Sequence, residues 1–291
     1  MSQVNSMSLR ARINNYAKKQ GISPQLALQS FFIERFLARI EKSAYAGNLV
    51  IKGGTLMCEI LGLPQRTTMD IDATVVGLRV DEQAVVRIVE AIASVDVGDG
   101  ISFHRERMSN APIAKDDEYG GWSINLMAEF GTIRLPIGVD VTYGDAITPA
   151  AEARDFTGVL DNKLRIRLLS YTVETLMAEK AQSILKRGVA TTRPRDFYDL
   201  YMLSRRGGFD AALFARALHN TIVNRNSEEY LKKWRAIVDA IATSDFQQQQ
   251  WRRYQRRMSY AHDIPFSDVI ESVDGLMDSA QRFLNDSQDE K

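Results

Sequence analysis

Asp70 and Asp72 stand two residues apart in the run Met69-Asp70-Ile71-Asp72-Ala73-Thr74-Val75-Val76. Its β-branched content predicts a strand from Met69 to Val76. Side chains alternate along a strand, so both carboxylates face one way and Ile71 faces the core. Two like charges held so close repel unless a cation lies between them. Mg²⁺ (or Mn²⁺) does this well: it prefers oxygen ligands and takes one or two carboxylates, with waters and phosphate oxygens completing the shell. A D-x-D pair alone fits two solvated acids on an edge strand equally well. Asp140, in Gly138-Val139-Asp140-Val141-Thr142, adds a third acid on a later strand. Asp70, Asp72 and Asp140 together form a candidate metal set for phosphoryl or nucleotidyl transfer. Asp145, close by, reads as a turn residue.

The elements that must position these acids can be read around them. Leu49-Val50-Ile51 is a short buried strand, Lys52-Gly53-Gly54-Thr55 a turn, and Leu56 to Leu61 the start of a helix. Glycine lets backbone amides approach a phosphate, and the helix N-terminus behind it favours negative charge. Thr55 adds a hydroxyl donor. Upstream, residues 8–20 and about 24–42 have helical spacing, with Pro24 suited to a first turn. Residues 81–95 also have helical spacing. Trp122–Phe130 and Thr132–Tyr143 read as a hairpin joined at Gly131. From Thr172 onward the pattern is helical. The expected architecture is α+β (mixed α/β). A domain with a mixed sheet, residues 1–160, precedes a helical domain, residues 161–291, with the seam near 148–170.

Two acids, Asp196 and Asp199, follow Arg193-Pro194-Arg195 and are three apart, so they share one helix face. Acids at a helix start also suit the helix dipole. That accounts for the acids, but not for their order behind Lys180 and a basic loop.

Taken together these segments resemble the AbiEii/AbiGii family of nucleotidyltransferase toxins, which includes the MenT-type enzymes. The segments are K-G-G-T (Lys52 to Thr55), R-T-x-M-D-I-D (Arg66, Thr67, Met69 to Asp72), Lys180 on a helix, and R-P-x-D-F-Y-D-L from Arg193. They occur in the family's order across residues 48–203. Ala73-Thr74 follows the paired acids where the family has an aromatic residue. The resemblance implies a toxin of a two-gene type IV toxin–antitoxin or phage-defence system, with a cognate antitoxin as partner. It implies transfer of a nucleoside monophosphate from an NTP to an acceptor, which for MenT-type members is the 3′ end of tRNA. Lys52, Gly53, Gly54, Thr55 and Arg66 would serve the nucleotide, and Asp70, Asp72 and Asp140 the metal. Asp70, Asp72, Lys180 and Asp196 would form the catalytic set, with Asp199 the alternative to Asp196.

Charge and composition limit the other readings. Lys plus Arg and Asp plus Glu both number 37, yet residues 161–257 hold 19 basic and 10 acidic residues. Such a section can attract a polyanion. Trp234, Trp251 and Tyr254 lie among Lys232, Lys233, Arg235, Arg252, Arg253, Arg256 and Arg257, an interleaving that suits stacked bases or, equally, core aromatics beneath a charged face. The single cysteine, Cys58, reads as a packing residue and suits a reducing cytoplasm. No apolar run of about 18 residues and no signal segment is present, so a cytoplasmic protein that does not cross a membrane is expected. His104, His219 and His262 share no zinc spacing. Three rivals remain: a nucleotidyltransferase acting on a protein or small molecule, a protein that binds nucleotide or RNA without turnover, and a DNA-binding regulator using the N-terminal helices.

Overall fold

The structure, a computed structural model, describes residues 6–112 and 120–289. It divides into two compact units. The first takes residues up to Gly144 together with Glu152–Ser170; the second takes Asp145–Ala151 and everything from Tyr171 onward.

The first unit opens with α1 (Ser6–Gln20) and α2 (Pro24–Lys42). Ser23 caps α2 by accepting from the Leu26 amide at 3.2 Å, and Pro24 occupies the first helical position, where its missing N–H costs nothing. Next come β1 (Leu49–Ile51), α3 (Gly53–Leu61), β2 (Asp70–Val75), α4 (Glu82–Ala93) and β3 (Ser102–Pro112). The unit finishes with β4 (Gly121–Phe130), β5 (Ile133–Tyr143), β6 (Glu152–Thr157) and β7 (Arg165–Ser170). The seven strands form one sheet in the order β3-β4-β5-β2-β1-β7-β6. The β2–β5 and β1–β7 pairs are parallel and the others antiparallel, so the sheet is mixed, as expected.

β2 lies inside the sheet between β1 and β5. Ile71, Ala73 and Val75 are buried on its core side, and Ile71 is 0% exposed. Burying one such side chain is worth roughly 1.5–3 kcal/mol, enough to fix the register that turns Asp70 and Asp72 to the other face. Arg39 anchors α2 to the start of β3. Its guanidinium donates to both Asp99 oxygens at 2.9 Å and to the Ile101 carbonyl at 2.7 Å, and lies over the Phe103 ring.

Two features differ from the sequence reading. Gly53, Gly54 and Thr55 are the first turn of α3 itself, with Lys52 its extended N-cap. The stretch read as an interrupted seam carries the β6–β7 hairpin. β6 is an outer strand and only Phe156 is buried on it, so its sequence gives little apolar signal. β7 shows the strand alternation, burying Ile166 and Leu168 between exposed Arg165 and Arg167. The sheet unit therefore continues to Ser170, while Asp145–Ala151 joins the helical unit.

The second unit contains α5 (Val173–Arg187), α6 (Pro194–Arg206), α7 (Ala211–Asn224), α8 (Glu228–Lys232), α9 (Trp234–Ala242), α10 (Asp245–Arg257) and α11 (Phe266–Asp289). Thr172, Asp210 and Ser244 cap α5, α7 and α10 through their side-chain oxygens. Trp234, Trp251 and Tyr254 are all buried, at 3%, 2% and 5% exposure. They are core anchors, which removes them as stacking platforms for bases. The Trp251 indole donates to the Ile264 carbonyl, and the Tyr254 and Tyr260 hydroxyls pair at 3.1 Å.

Candidate active site

Asp72 is the meeting point of the β1–α3 junction and β2. The Lys52 amide donates to its carbonyl at 3.0 Å, and the Gly54 amide donates to its carboxylate Oδ2 at 2.7 Å. Thr55 binds the same strand on both sides: its hydroxyl donates to the Asp70 carbonyl at 3.1 Å and accepts the Asp72 amide at 3.0 Å. The Thr55 proton is thus committed to β2, and Thr55 positions the strand instead of presenting a free donor to a phosphate. The Thr68 hydroxyl adds a second bond to the Asp70 carbonyl.

Glycine is required twice. Gly53 has a φ of +54°, and a Cβ there would lie 2.6 Å from Asp72 Cγ; one on Gly54 would lie 2.7 Å from Thr68 Oγ1. Only a bare backbone lets α3 start against the carboxylate. Gly53→Ala is expected to cost about 1–2 kcal/mol in backbone strain and to displace Asp72. Any chemistry that uses this carboxylate should then slow on the order of 10²-fold through misplacement. Gly47→Ala, where a Cβ meets nothing within 4 Å, should leave rate and melting temperature unchanged.

The parallel pairing of β2 with β5 sets Asp72 opposite Asp140 and Asp70 opposite Gly138. A Cβ on Gly138 would lie 2.2 Å from Asp70 Oδ1, so this glycine makes room for the first acid. The sequence reading did not single it out. Its signal was present only as the one position in Ile137 to Val141 without a side chain.

Asp140 is pushed up from 3.8 to about 6. Burial is the main cause; the charges of Asp72 and Asp70 add to it, and a hydrogen bond from Ser123, its neighbour on β4, opposes it. Asp140 Oδ1 is buried with no hydrogen-bond partner among the described residues. An orphaned buried carboxylate oxygen beside two more carboxylates is the donor set of a hard divalent cation, so these residues fit Mg²⁺ or Mn²⁺. Among the described residues, no three His, Cys, Asp or Glu side chains stand ready-made around one cation position.

A pH dependence follows. The metal-free fold prefers protonated Asp140, so the stability this group contributes is full below about pH 3.8 and is lost as pH rises through about 6. Above pH 6 the charged form then costs about 1–2 kcal/mol, discounted for partial exposure. Asp140→Asn should raise the metal-free melting temperature at pH 8 by a few degrees, and the advantage should vanish below pH 4. Mg²⁺ should narrow the gap by stabilising wild type alone; a gap independent of pH and Mg²⁺ would contradict the assignment.

In the helical unit, Lys180 of α5 is buried against the start of α6. Its Nζ lies 2.6 Å from Asp199 Oδ2 and 3.3 Å from Asp196 Oδ1. Asp199 is fully buried, whereas Asp196 keeps some exposure. Both acids named by the sequence therefore hold the lysine, Asp199 more closely. Arg66, in the sheet unit, is a buried side chain at 2% exposure, not a surface arginine, and its guanidinium donates to the Thr67 carbonyl. Cys58 is half-buried, its thiol donating to the Arg66 carbonyl at 3.2 Å.

Asp145, read as a turn residue, has a buried side chain, 2% exposed. It pairs with Arg225, which also binds Glu179 at 2.8 Å and Gln182 at 2.9 Å. The Tyr171 hydroxyl donates to Glu179, and burial followed by the charges of Glu179 and Asp145 pushes this phenol well above its ordinary range. No local sequence signal links residues 145, 179 and 225.

A family model described as nucleotidyl transferase AbiEii toxin, type IV TA system, matches residues 35–278. The chain belongs to this AbiEii family. Membership makes it a nucleotidyltransferase of a toxin–antitoxin system, with an antitoxin as its counterpart. No curated protein matches this AbiEii chain. Among solved structures, one of a nucleotidyltransferase from H. pylori aligns at 15% identity and a TM-score of 0.49, covering 93% of this chain and 99% of that one. JHP933 from Helicobacter pylori aligns at 15% identity and 0.49, over 92% and 95%. An antigenic nucleotidyltransferase-like protein from Paracoccidioides brasiliensis aligns at 16% and 0.35, over 64% and 84%. No helix among the described residues is long and apolar enough to cross a membrane.

Proposed function

We propose that this AbiEii protein uses Mg²⁺ (or Mn²⁺) to transfer a nucleoside monophosphate from an NTP to the 3′ end of tRNA, blocking translation and growth, in the cytoplasm. The observation that carries the reading is the pairing of Asp72 with Asp140 across β2 and β5, where Asp140 has an orphaned oxygen and the Gly53-Gly54 helix start lies against Asp72.

In the transfer, the 3′-hydroxyl oxygen attacks the α-phosphorus. The bond from that phosphorus to the α,β-bridging oxygen breaks, pyrophosphate leaves, and the hydroxyl proton passes to solvent. Asp70, Asp72 and Asp140 would hold the cation, which supplies charge neutralisation at the phosphates and a more acidic attacking hydroxyl. Gly53 and Gly54 present backbone N–H groups at the start of α3, where the helix dipole favours the triphosphate. The Gly54 amide would pass from Asp72 to a phosphate oxygen. Lys52 and Arg66 add positive charge in the same unit. Lys180, held by Asp199 and Asp196, offers a compact cation with its rotamer fixed, as needed to stabilise a charged transition state without reorganisation.

The acceptor is tested with α-labelled NTPs, offered separately to total tRNA and to cell protein. Label on tRNA supports the reading. Label on protein alone transfers it to a protein-modifying enzyme, and NTP binding with no consumption under any condition, antitoxin-free, supports a binding protein.

A further inference from the structure

The helical unit holds a groove of about 1410 Å³ between α7, α8, the start of α9, the end of α11 and Thr148-Pro149. That volume exceeds the roughly 300–1,000 Å³ of a small-molecule site, so a polymer segment suits it better. Five basic side chains line it: Arg216 and His219 from α7, Lys232 and Lys233 at the α8–α9 junction, and Arg235 from α9. Among the described residues, Glu228 is the one acid in the lining. Arg235 pairs with Asp278, but Arg216, His219, Lys232 and Lys233 are exposed and have no ion-pair partner among the described residues. Arg216 and His219 are three apart, so they share a helix face.

We infer that this groove binds RNA along its phosphate backbone. The inference rests on the proposed RNA acceptor and goes further by naming where in the helical unit the RNA is held. Unpaired lysine and arginine in a concave site match a polyanion with regularly spaced phosphates, and release of its counterions drives binding. A lipid surface is flat and cannot fill a concave groove of this volume. The buried Trp234 indole has Arg235 stacked on it, which fixes the rim and keeps the aromatic unavailable to lipid.

The test compares two double charge reversals of equal charge change, both in the full-length Asp72→Ala chain without NTP. One is Lys232→Glu with Lys233→Glu in the groove. The other is Arg253→Glu with Arg257→Glu, on the exposed face of α10. Labelled total tRNA is titrated across a salt series. The groove pair is expected to weaken binding about tenfold or more near physiological salt and to lower the salt slope by about 1–2, while the α10 pair changes affinity less than about threefold. Equal weakening by both pairs, weakening by the α10 pair alone, or no change in either overturns the groove assignment. Arg216→Glu, on a separate helix, repeats the test if the lysine pair melts early. Because binding is read without turnover, unlabelled tRNA in the transfer assay would sink the acceptor reading while leaving this result to stand or fall alone.

Discussion

Asp72→Ala is expected to reduce nucleotide transfer by on the order of 10³-fold or more, the loss of several kcal/mol of transition-state stabilisation. The size follows from how many bonds converge on one side chain. The Asp72 carboxylate accepts the Gly54 amide, faces Asp140 across the strand pair and stands beside Asp70 on the same face. Removing it takes away the partner that orients the α3 start and, on the proposed mechanism, a ligand of the cation. The fold should survive, since the core face of β2 is built from Ile71, Ala73 and Val75. Asp140 should also titrate closer to the ordinary carboxylate range, because one of the charges that raises it is gone. Near wild-type turnover with Asp72→Ala, measured on folded protein, would remove this carboxylate from the chemistry.

The second large effect belongs to the helical unit and is one of stability. Asp199→Ala should destabilise the protein by about 3–5 kcal/mol, because it removes the closer and fully buried counter-charge of the buried Lys180. Asp196→Ala should cost much less, since its contact is longer and the side chain more exposed. A paired substitution sharpens this. Lys180→Met combined with Asp199→Leu removes both charges and should recover most of the stability, as apolar replacements of buried ion pairs commonly do. It should not recover transfer, because the cation is gone. Thermal melts of the two single variants and the double variant read the first effect, and single-turnover transfer reads the second. Recovery of transfer by the apolar pair would assign Lys180 a structural role alone.

The paired acids were legible in the sequence because strand alternation fixes their common face, and Ile71 lies in the core as that argument requires. Asp140 was legible as a strand acid flanked by Val139 and Val141. Its partner was not, since the register of β2 against β5 is a long-range choice made by the sheet. The same holds for Gly138, whose importance depends on Asp70 standing opposite. β6 escaped notice because an outer strand with polar faces lacks the apolar period that marks an inner one. The basic–aromatic interleaving of the helical half allowed two outcomes, and packing chose between them: the rings of Trp234, Trp251 and Tyr254 fill the core and the cations stay outside. Asp145 looked like a turn acid because its partner Arg225 lies 80 residues away.

The position of a phosphate label separates transfer of a nucleoside monophosphate at Asp70, Asp72 and Asp140 from any other chemistry. Wild-type protein with Mg²⁺ and total tRNA is given each NTP twice, once labelled at the α-phosphate and once at the γ-phosphate, beside Asp72→Ala. α-Label is expected on the RNA and γ-label in released pyrophosphate, with neither in Asp72→Ala. γ-Label on the acceptor would instead mean phosphoryl transfer, and RNA labelling that persists in Asp72→Ala would remove these carboxylates from the chemistry.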